Sequence, residues 1–196
     1  MGSRDDAALD TFLREIAEAR SESEALDTLD AIVGPVSPQP SLRDRLLASL
    51  ETSGRWHRFA DPVSELLGVS VHRAKQLLDG VDEPSSWNPG MLPGMELYHL
   101  EGDDAVDNAI TGFIRFPGGV PVPDHDHLGE EIMLVLSGRY IDSGGHEWGP
   151  GDVARMPAGS SHNFQILPGP DLLYLVIVHE GLRIAGMLLR PGDPRI

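Results

Sequence analysis

The spacing of apolar residues divides the chain into a helical part and a strand-rich part. Between residues 7 and 80, apolar positions recur every three or four residues, as they do on the buried face of an amphipathic helix. Ser70 has the position and chemistry of an N-cap for the last of these stretches. The pattern predicts helices over 7–33, 41–50, 62–67 and 71–78.

After about residue 90 the apolar runs become short, and glycine and proline separate them. Many short strands at even spacing are typical of a closed β-barrel or a pair of packed sheets. The predicted strands are 95–100, 109–116, 131–137, 139–141, 152–156, 162–166, 172–179 and 182–190.

These patterns predict three regions. Residues 1–40 form an acidic helical segment that ends in a proline-rich linker, and residues 41–90 form a second helical segment. Residues 91–196 form the β-barrel.

Charge and cysteine content exclude several classes of function. The chain has 196 residues, of which 15 are basic and 31 acidic, giving a net charge of −16. Such an excess argues against binding to nucleic acids or anionic membranes, which need a basic surface. No cysteine is present, which excludes disulfides, cysteine zinc fingers and thiol catalysis. With no apolar run of membrane-spanning length and no secretory signal, we expect a cytoplasmic protein.

Candidate metal ligands cluster between residues 119 and 138. His125, His127 and Glu131 all have odd numbers, so one extended segment would direct them to the same side, with Glu130 on the other. Two imidazoles and a carboxylate form a mixed nitrogen–oxygen metal site. His162 follows a predicted strand and tight turn and is available as a fourth ligand, provided that the fold brings it close.

The spacing of these residues resembles the two motifs of the cupin superfamily, although Ile166 replaces the asparagine that ends the second motif. The resemblance implies a mainly β protein: a cupin double-stranded β-helix (jelly roll) barrel with an N-terminal α-helical segment. It also implies one bound divalent ion, with zinc expected first and iron, manganese or nickel as alternatives. The matching positions are Gly119, His125, His127, Glu131, Gly138, Gly151, Pro157, Gly159 and His162. The implied metal ligands are His125, His127, Glu131 and His162.

Residues 40–50 and 55–90, together with the cupin motifs, resemble the C-terminal part of ChrR-type anti-sigma factors. In that family a helical zinc domain binds a sigma factor, and the cupin-like domain takes part in the response to singlet oxygen or peroxides. The resemblance implies a regulatory or sensory module, a sigma factor or other regulatory partner, a small-molecule ligand in the barrel, and a homodimer. The family's helical zinc motif needs a histidine and two cysteines, and this chain has no cysteine.

Two other functions are compatible with the same ligands. A metal with three histidines, one glutamate and a free position can bind O₂ or polarise a carbonyl, as in a small-molecule dioxygenase or an isomerase. A metal-stabilised barrel could also serve only as a platform for dimerisation.

Several further residues are weaker candidates. Asp124 and Asp126 either face outward or orient a neighbouring imidazole. Residues 66–78 have the rhythm of a helix-turn-helix, but residues 41–80 carry 6 basic and 5 acidic side chains, which favours packing on the barrel over DNA binding. His99 and His179 lie in predicted strands, where each either lines the cavity or is a packed or surface residue. Arg115 and Tyr140 are candidate substrate contacts, and His146 is expected in an exposed hairpin.

Overall fold

Three long apolar runs form the central strands of one sheet. The computed structural model describes residues 54–193, which contain two α-helices, three short 3₁₀ turns and twelve strands. The helices are α1 (Ala60–Leu67) and α2 (Val71–Gly80). The strands are β1 (Asn88–Pro89), β2 (Glu96–His99), β3 (Ala109–Phe116), β4 (Pro121–His127), β5 (Glu131–Ser137), β6 (Tyr140–Asp142), β7 (Glu147–Trp148), β8 (Val153–Met156), β9 (Ser161–Ile166), β10 (Leu172–His179), β11 (Leu182–Ile184) and β12 (Met187–Leu189).

The strands form two six-stranded sheets in which the paired strands run antiparallel. We call the sheet with order β1-β2-β3-β10-β5-β8 the helix-side sheet, and that with order β12-β11-β4-β9-β6-β7 the outer sheet. Chain neighbours such as β3 and β4 lie in different sheets, so the polypeptide crosses repeatedly between the two layers. This arrangement is the predicted double-stranded β-helix barrel.

The helix-side sheet is buried on both faces, which explains its continuous apolar runs. Along β10, Leu173, Leu175 and Ile177 belong to a core shared with the helices. The intervening Tyr174 and Val176 belong to a second core inside the barrel. β5 alternates in the same way, so period-two geometry divides one apolar run between two cores.

The helical pair covers the outside of this sheet. Val63, Leu67 and Leu78 pack in the same core as the outward residues of β5 and β10. Ser70 accepts a hydrogen bond from the Arg73 backbone N–H at 3.2 Å, confirming the predicted N-cap of α2. The helix-turn-helix rhythm thus belongs to a helix pair packed on a sheet.

Two predictions about individual segments differ from the structure or lie outside it. The predicted strand over 182–190 is a hairpin, because Ala185 and Gly186 have φ of 50° and 77° and Ile184 pairs with Met187. Such a pair of positive φ values makes a two-residue hairpin turn. The helices predicted over 7–33 and 41–50, and region 1–40, lie outside the described residues. Within residues 54–193, no helix is long and apolar enough to cross a membrane.

Candidate metal centre

Two of the candidate ligands face each other across paired strands of the outer sheet. His125 on β4 is the register partner of His162 on β9. His127 lies two residues further along β4 and therefore points to the same face as His125. All three imidazoles consequently enter the barrel from one wall.

A β-bulge sets this orientation. The register pairs Val122 with Phe164 and then His125 with His162, so β4 has one residue more than β9 between the two pairs. Val122 and His125 are both buried although their numbers differ in parity, and the intervening Pro123 and Asp124 are exposed. Without the extra residue, continued alternation from Val122 would direct Asp124 into the barrel.

Glu131 reaches the same point from the opposite wall. It begins β5 in the helix-side sheet, and residues 128–130 carry the chain across from β4. The prediction that one strand carries His125, His127 and Glu131 together is therefore wrong. The odd-numbered residues after Glu131 do face inward, since Met133 and Val135 belong to the barrel core. Glu130 faces outward and forms an ion pair with Arg155 at 3.3 Å.

A tight turn between β8 and β9 delivers His162. Gly159 has a φ of 74°, a conformation that favours glycine, and its N–H donates to the His127 carbonyl at 2.9 Å. The Ser160 N–H closes the turn on the Pro157 carbonyl at 3.1 Å. The turn is thus bonded directly to the strand that carries His125 and His127.

The four side chains meet closely. The facing Nε2 atoms of His125 and His162 lie 2.9 Å apart. Oε2 of Glu131 lies 3.2 Å from Nε2 of His127 and 3.4 Å from Nε2 of His162. One potential ligand atom from each of the four residues lies within 4.8 Å of the others, which is the spacing of a set able to surround one ion.

Burial leaves polar atoms of this cluster without partners. All four residues are at most 6% exposed. Nε2 of His127 and Oε2 of Glu131 are both buried without a hydrogen-bond partner. Unpartnered buried polar atoms are costly, and a cation at their centre would satisfy them. The residues therefore fit a divalent metal ion.

The cluster has an unusual electrostatic balance. Burial alone would raise the pKa of Glu131, but the close approach of the His127 and His162 imidazoles, together with the charge of His125, lowers it to about 2. Burial lowers the pKa of His125 despite the nearby Glu131 carboxylate. One anionic carboxylate beside an imidazole that resists protonation suits cation binding.

Two outer contacts fix which nitrogen of each imidazole carries the proton. Nδ1 of His125 lies 2.9 Å from the Pro123 carbonyl, which can only accept, so Nδ1 must donate. Ser160 donates its hydroxyl proton to the Pro157 carbonyl at 2.6 Å. Its oxygen therefore accepts from Nδ1 of His127, 3.0 Å away. In its neutral form, each of these two histidines then directs an Nε2 lone pair into the cluster.

A cavity lies inside the barrel beside the cluster. Together with the solvent at its mouth it measures about 710 Å³. His125 and Glu131 border it, and apolar side chains form most of the remaining wall. The Tyr174 hydroxyl group is a further polar element of the lining, and burial raises its pKa well above the usual value, so it stays a neutral phenol.

The weaker candidates do not join this site. Asp124 and Asp126 bind Asn163 and Ser161, both at 2.5 Å, so neither orients an imidazole. Three other candidates, His99, His179 and Tyr140, are not among the cavity-lining residues.

Arg115 is also outside the cavity: it pairs with Glu96 at 2.7 Å and lies over the Trp87 ring. His146 is exposed in the β6–β7 hairpin, as predicted. Sequence reasoning missed Ser160 and Tyr174. Tyr174 could have been found from period-two alternation along the 172–179 run, whereas Ser160 carries no such signal.

The chain is similar to known proteins in sequence. Residues 82–180, just over half of the chain, match the family described as the ChrR cupin-like domain. The anti-sigma-E factor ChrR of Cereibacter sphaeroides is 33% identical over 86 residues, which are 44% of this chain. The chain spans only 40% of the length of that relative.

Solved structures include similar chains. The crystal structure of Rhodobacter sphaeroides SigE in complex with the anti-sigma ChrR matches with a TM-score of 0.47 and 24% identity, over 85% of this chain and 83% of that chain. An acetylacetone dioxygenase from Acinetobacter johnsonii matches with a TM-score of 0.47 and 12% identity, over 55% and 81%.

Proposed function

Because the chain belongs to the ChrR cupin-like domain family, we propose that its barrel is a metal-binding sensory module of a cytoplasmic transcription regulator. His125, His127, Glu131 and His162 would hold one divalent ion, zinc first. The observation that carries the proposal is the buried four-residue cluster, in which atoms of His127 and Glu131 lack hydrogen-bond partners. A bound ion would supply an electrophilic position that a small molecule or oxidant can reach.

The contacts of β5 support a route from the site to the helices. Glu131 opens β5, and the next residue, Ile132, packs in the core shared with α1 and α2. Leu134 and Leu136 continue this contact along the strand. A displacement of Glu131 would therefore be transmitted to the helical pair through residues of its own strand.

The partner that we propose is a sigma factor, because the relative from Cereibacter sphaeroides is named as an anti-sigma-E factor. The acidic charge of the chain suits a protein partner with a basic surface. Association is tested by co-elution of the full chain with the extracytoplasmic-function sigma factors of its source organism. Light scattering on the full chain alone tests the expected homodimer.

The metal site is tested by elemental analysis of the full chain, purified without a metal-affinity column. We expect one equivalent of a divalent metal in the native chain and its loss in His127→Gln. His146→Gln, which changes an exposed histidine far along the chain, should keep the metal. Equal metal content in native chain and His127→Gln would contradict the proposal.

A metal-dependent enzyme is the second candidate, favoured by the cavity that borders His125 and Glu131. The two functions differ in metal and turnover. Bound iron with joint consumption of O₂ and an organic substrate supports a dioxygenase. Tightly bound zinc, together with a change in hydrogen exchange of α1 and α2 when the site is emptied, supports the sensory module.

A further inference from the structure

We propose that the barrel cavity takes an apolar monoanion, a molecule with one carboxylate head group and an aliphatic tail. The head group would lie at the border formed by His125 and Glu131, and the tail would lie along the apolar walls. This inference rests on the proposed metal site, because the ion supplies the positive charge that the head group needs.

The walls of the cavity exclude most polar ligands. Of its lining side chains, those of His125, Glu131 and Tyr174 alone carry nitrogen or oxygen atoms. A sugar or other polyol would press several hydroxyl groups against walls without hydrogen-bond partners, and each such group costs free energy. An aliphatic tail meets only favourable contacts there. The apolar lining residues are Met91, Leu92, Met95, Leu97, Ile110, Ile114, Phe116, Val122, Phe164, Val176, Val178, Leu182, Ile184 and Leu189.

The charge balance at the polar end favours an anion. Histidine coordinates a metal as a neutral imidazole, so Glu131 is the one charged member of the proposed ligand set and contributes a single negative charge. A divalent ion among these ligands leaves a net charge of +1 in an apolar surrounding, which a single negative charge would neutralise. No lysine or arginine is among the described residues that line the cavity, so nothing there competes for the head group.

A turn in the cavity wall suits an apolar tail as well. Met91, Leu92 and Met95 line the cavity from this turn. Two hydrogen bonds close it, from Gly90 N–H to the Met95 carbonyl at 2.8 Å and from Met95 N–H to the Leu92 carbonyl at 3.0 Å. Methionine side chains are flexible and adapt to apolar surfaces of different shape. Tails of different length can therefore be accommodated beneath this turn.

The inference is tested by calorimetric titration of the zinc-loaded full chain with butyrate, hexanoate, octanoate and decanoate. Burial of one CH₂ group contributes about 0.8 kcal/mol, so each added CH₂ should tighten binding by roughly 3–4-fold until the cavity is full. Octylammonium has the same number of carbon atoms and the opposite charge, and we expect it to bind at least tenfold more weakly than octanoate.

Two cavity-filling variants locate the bound tail. Val176→Phe and Ile110→Phe each place a larger side chain in the lining and should weaken octanoate binding at least tenfold at unchanged metal content. Val153→Phe is the matched control, because Val153 is 38% exposed and points away from the barrel core. Its octanoate affinity should equal that of the native chain. Two lining positions are used so that a folding defect in one variant leaves the other to decide.

Each outcome bears on a defined part of the inference. Equal affinity for octanoate and octylammonium, or unchanged affinity in the folded cavity variants, overturns it. A chain that holds one metal equivalent but binds none of the carboxylates overturns the ligand class and leaves the metal function standing. A chain without metal overturns both proposals.

Discussion

At the scale of single residues, the hydroxyl of Ser160 determines how His127 presents its lone pair. Partners of this kind typically change metal affinity by roughly 10–100-fold when removed. We therefore expect Ser160→Ala to weaken zinc binding within that range, measured by competition with a chromogenic chelator. Ser161→Ala is the neighbouring control, since Ser161 binds Asp126 on the outer face. Equal losses in the two variants would contradict the role of Ser160.

Asp142 fixes the β6–β7 hairpin through three hydrogen bonds. It accepts from the backbone N–H groups of Gly144 and His146 at 2.9 and 3.0 Å and from Nε1 of Trp148 at 2.8 Å. Burial opposes ionisation, but these donors outweigh it and lower the pKa of Asp142. Its contribution to stability is therefore present above the unfolded value of about 3.9 and is lost as the pH falls through the lower folded value.

Asp142→Asn should accordingly lower the free energy of unfolding by about 1–2 kcal/mol at pH 7, because one charged acceptor is lost. The difference from the native chain should shrink as the pH falls below about 4. Urea denaturation at both pH values measures it. Asp103→Asn, at an exposed position, should change stability little at either pH. A difference that is independent of pH would refute the role of the charge.

At the scale of secondary-structure elements, the helical pair is part of the core of the barrel sheet. Leu78 is fully buried between α2 and the sheet. Leu78→Ala should cost about 2–5 kcal/mol, because it removes apolar contact and leaves a cavity. Val71→Ala, at a helix position that is 41% exposed, should stay within about 0.5 kcal/mol. Chemical denaturation measures both, and a small loss for Leu78→Ala would mean that the helices pack loosely.

Elements with a strong local signal could be predicted from the sequence. The runs at 109–116, 131–137 and 172–179 match β3, β5 and β10 to the residue, because each is bounded by turn residues. Helices α1 and α2 extend only two residues beyond the predicted 62–67 and 71–78.

The sequence predicted which residues form the candidate site better than it predicted how they are arranged. Spacing picked out the four residues that the fold brings together, but the bulge in β4 and the crossing at residues 128–130 have no distinctive residue pattern. The alternation of side chains along a strand therefore predicted correctly that His125 and His127 face the same side. It placed Glu131 on the same strand as these histidines, whereas Glu131 begins the next strand. The contact of Ser160 with His127 depends on tertiary structure and could not be read from spacing.

At the scale of the whole molecule, removal of the proposed metal ion should destabilise the barrel. A ligand present at 100 times its dissociation constant stabilises the folded state by about 2.7 kcal/mol. For a chain of this size, that corresponds to a fall in melting temperature of roughly 5–10 °C on chelation. Differential scanning calorimetry of the full chain measures the shift.

His127→Gln serves as the control for this measurement, because its melting temperature should not respond to added zinc or to chelator. If neither zinc nor chelator changes the melting temperature of the native chain, the cluster holds no ion under those conditions.

The distribution of the four candidate ligands has a consequence for the mechanics of the barrel. Three imidazoles are anchored in one wall and the lone carboxylate in the other, where it begins the strand that supports the helices. An ion held between them would cross-link the two sheets, and its release would let the sheets move independently at that end. A chemical change at the metal ion would in this way alter the stiffness of the sheet face that supports the helices.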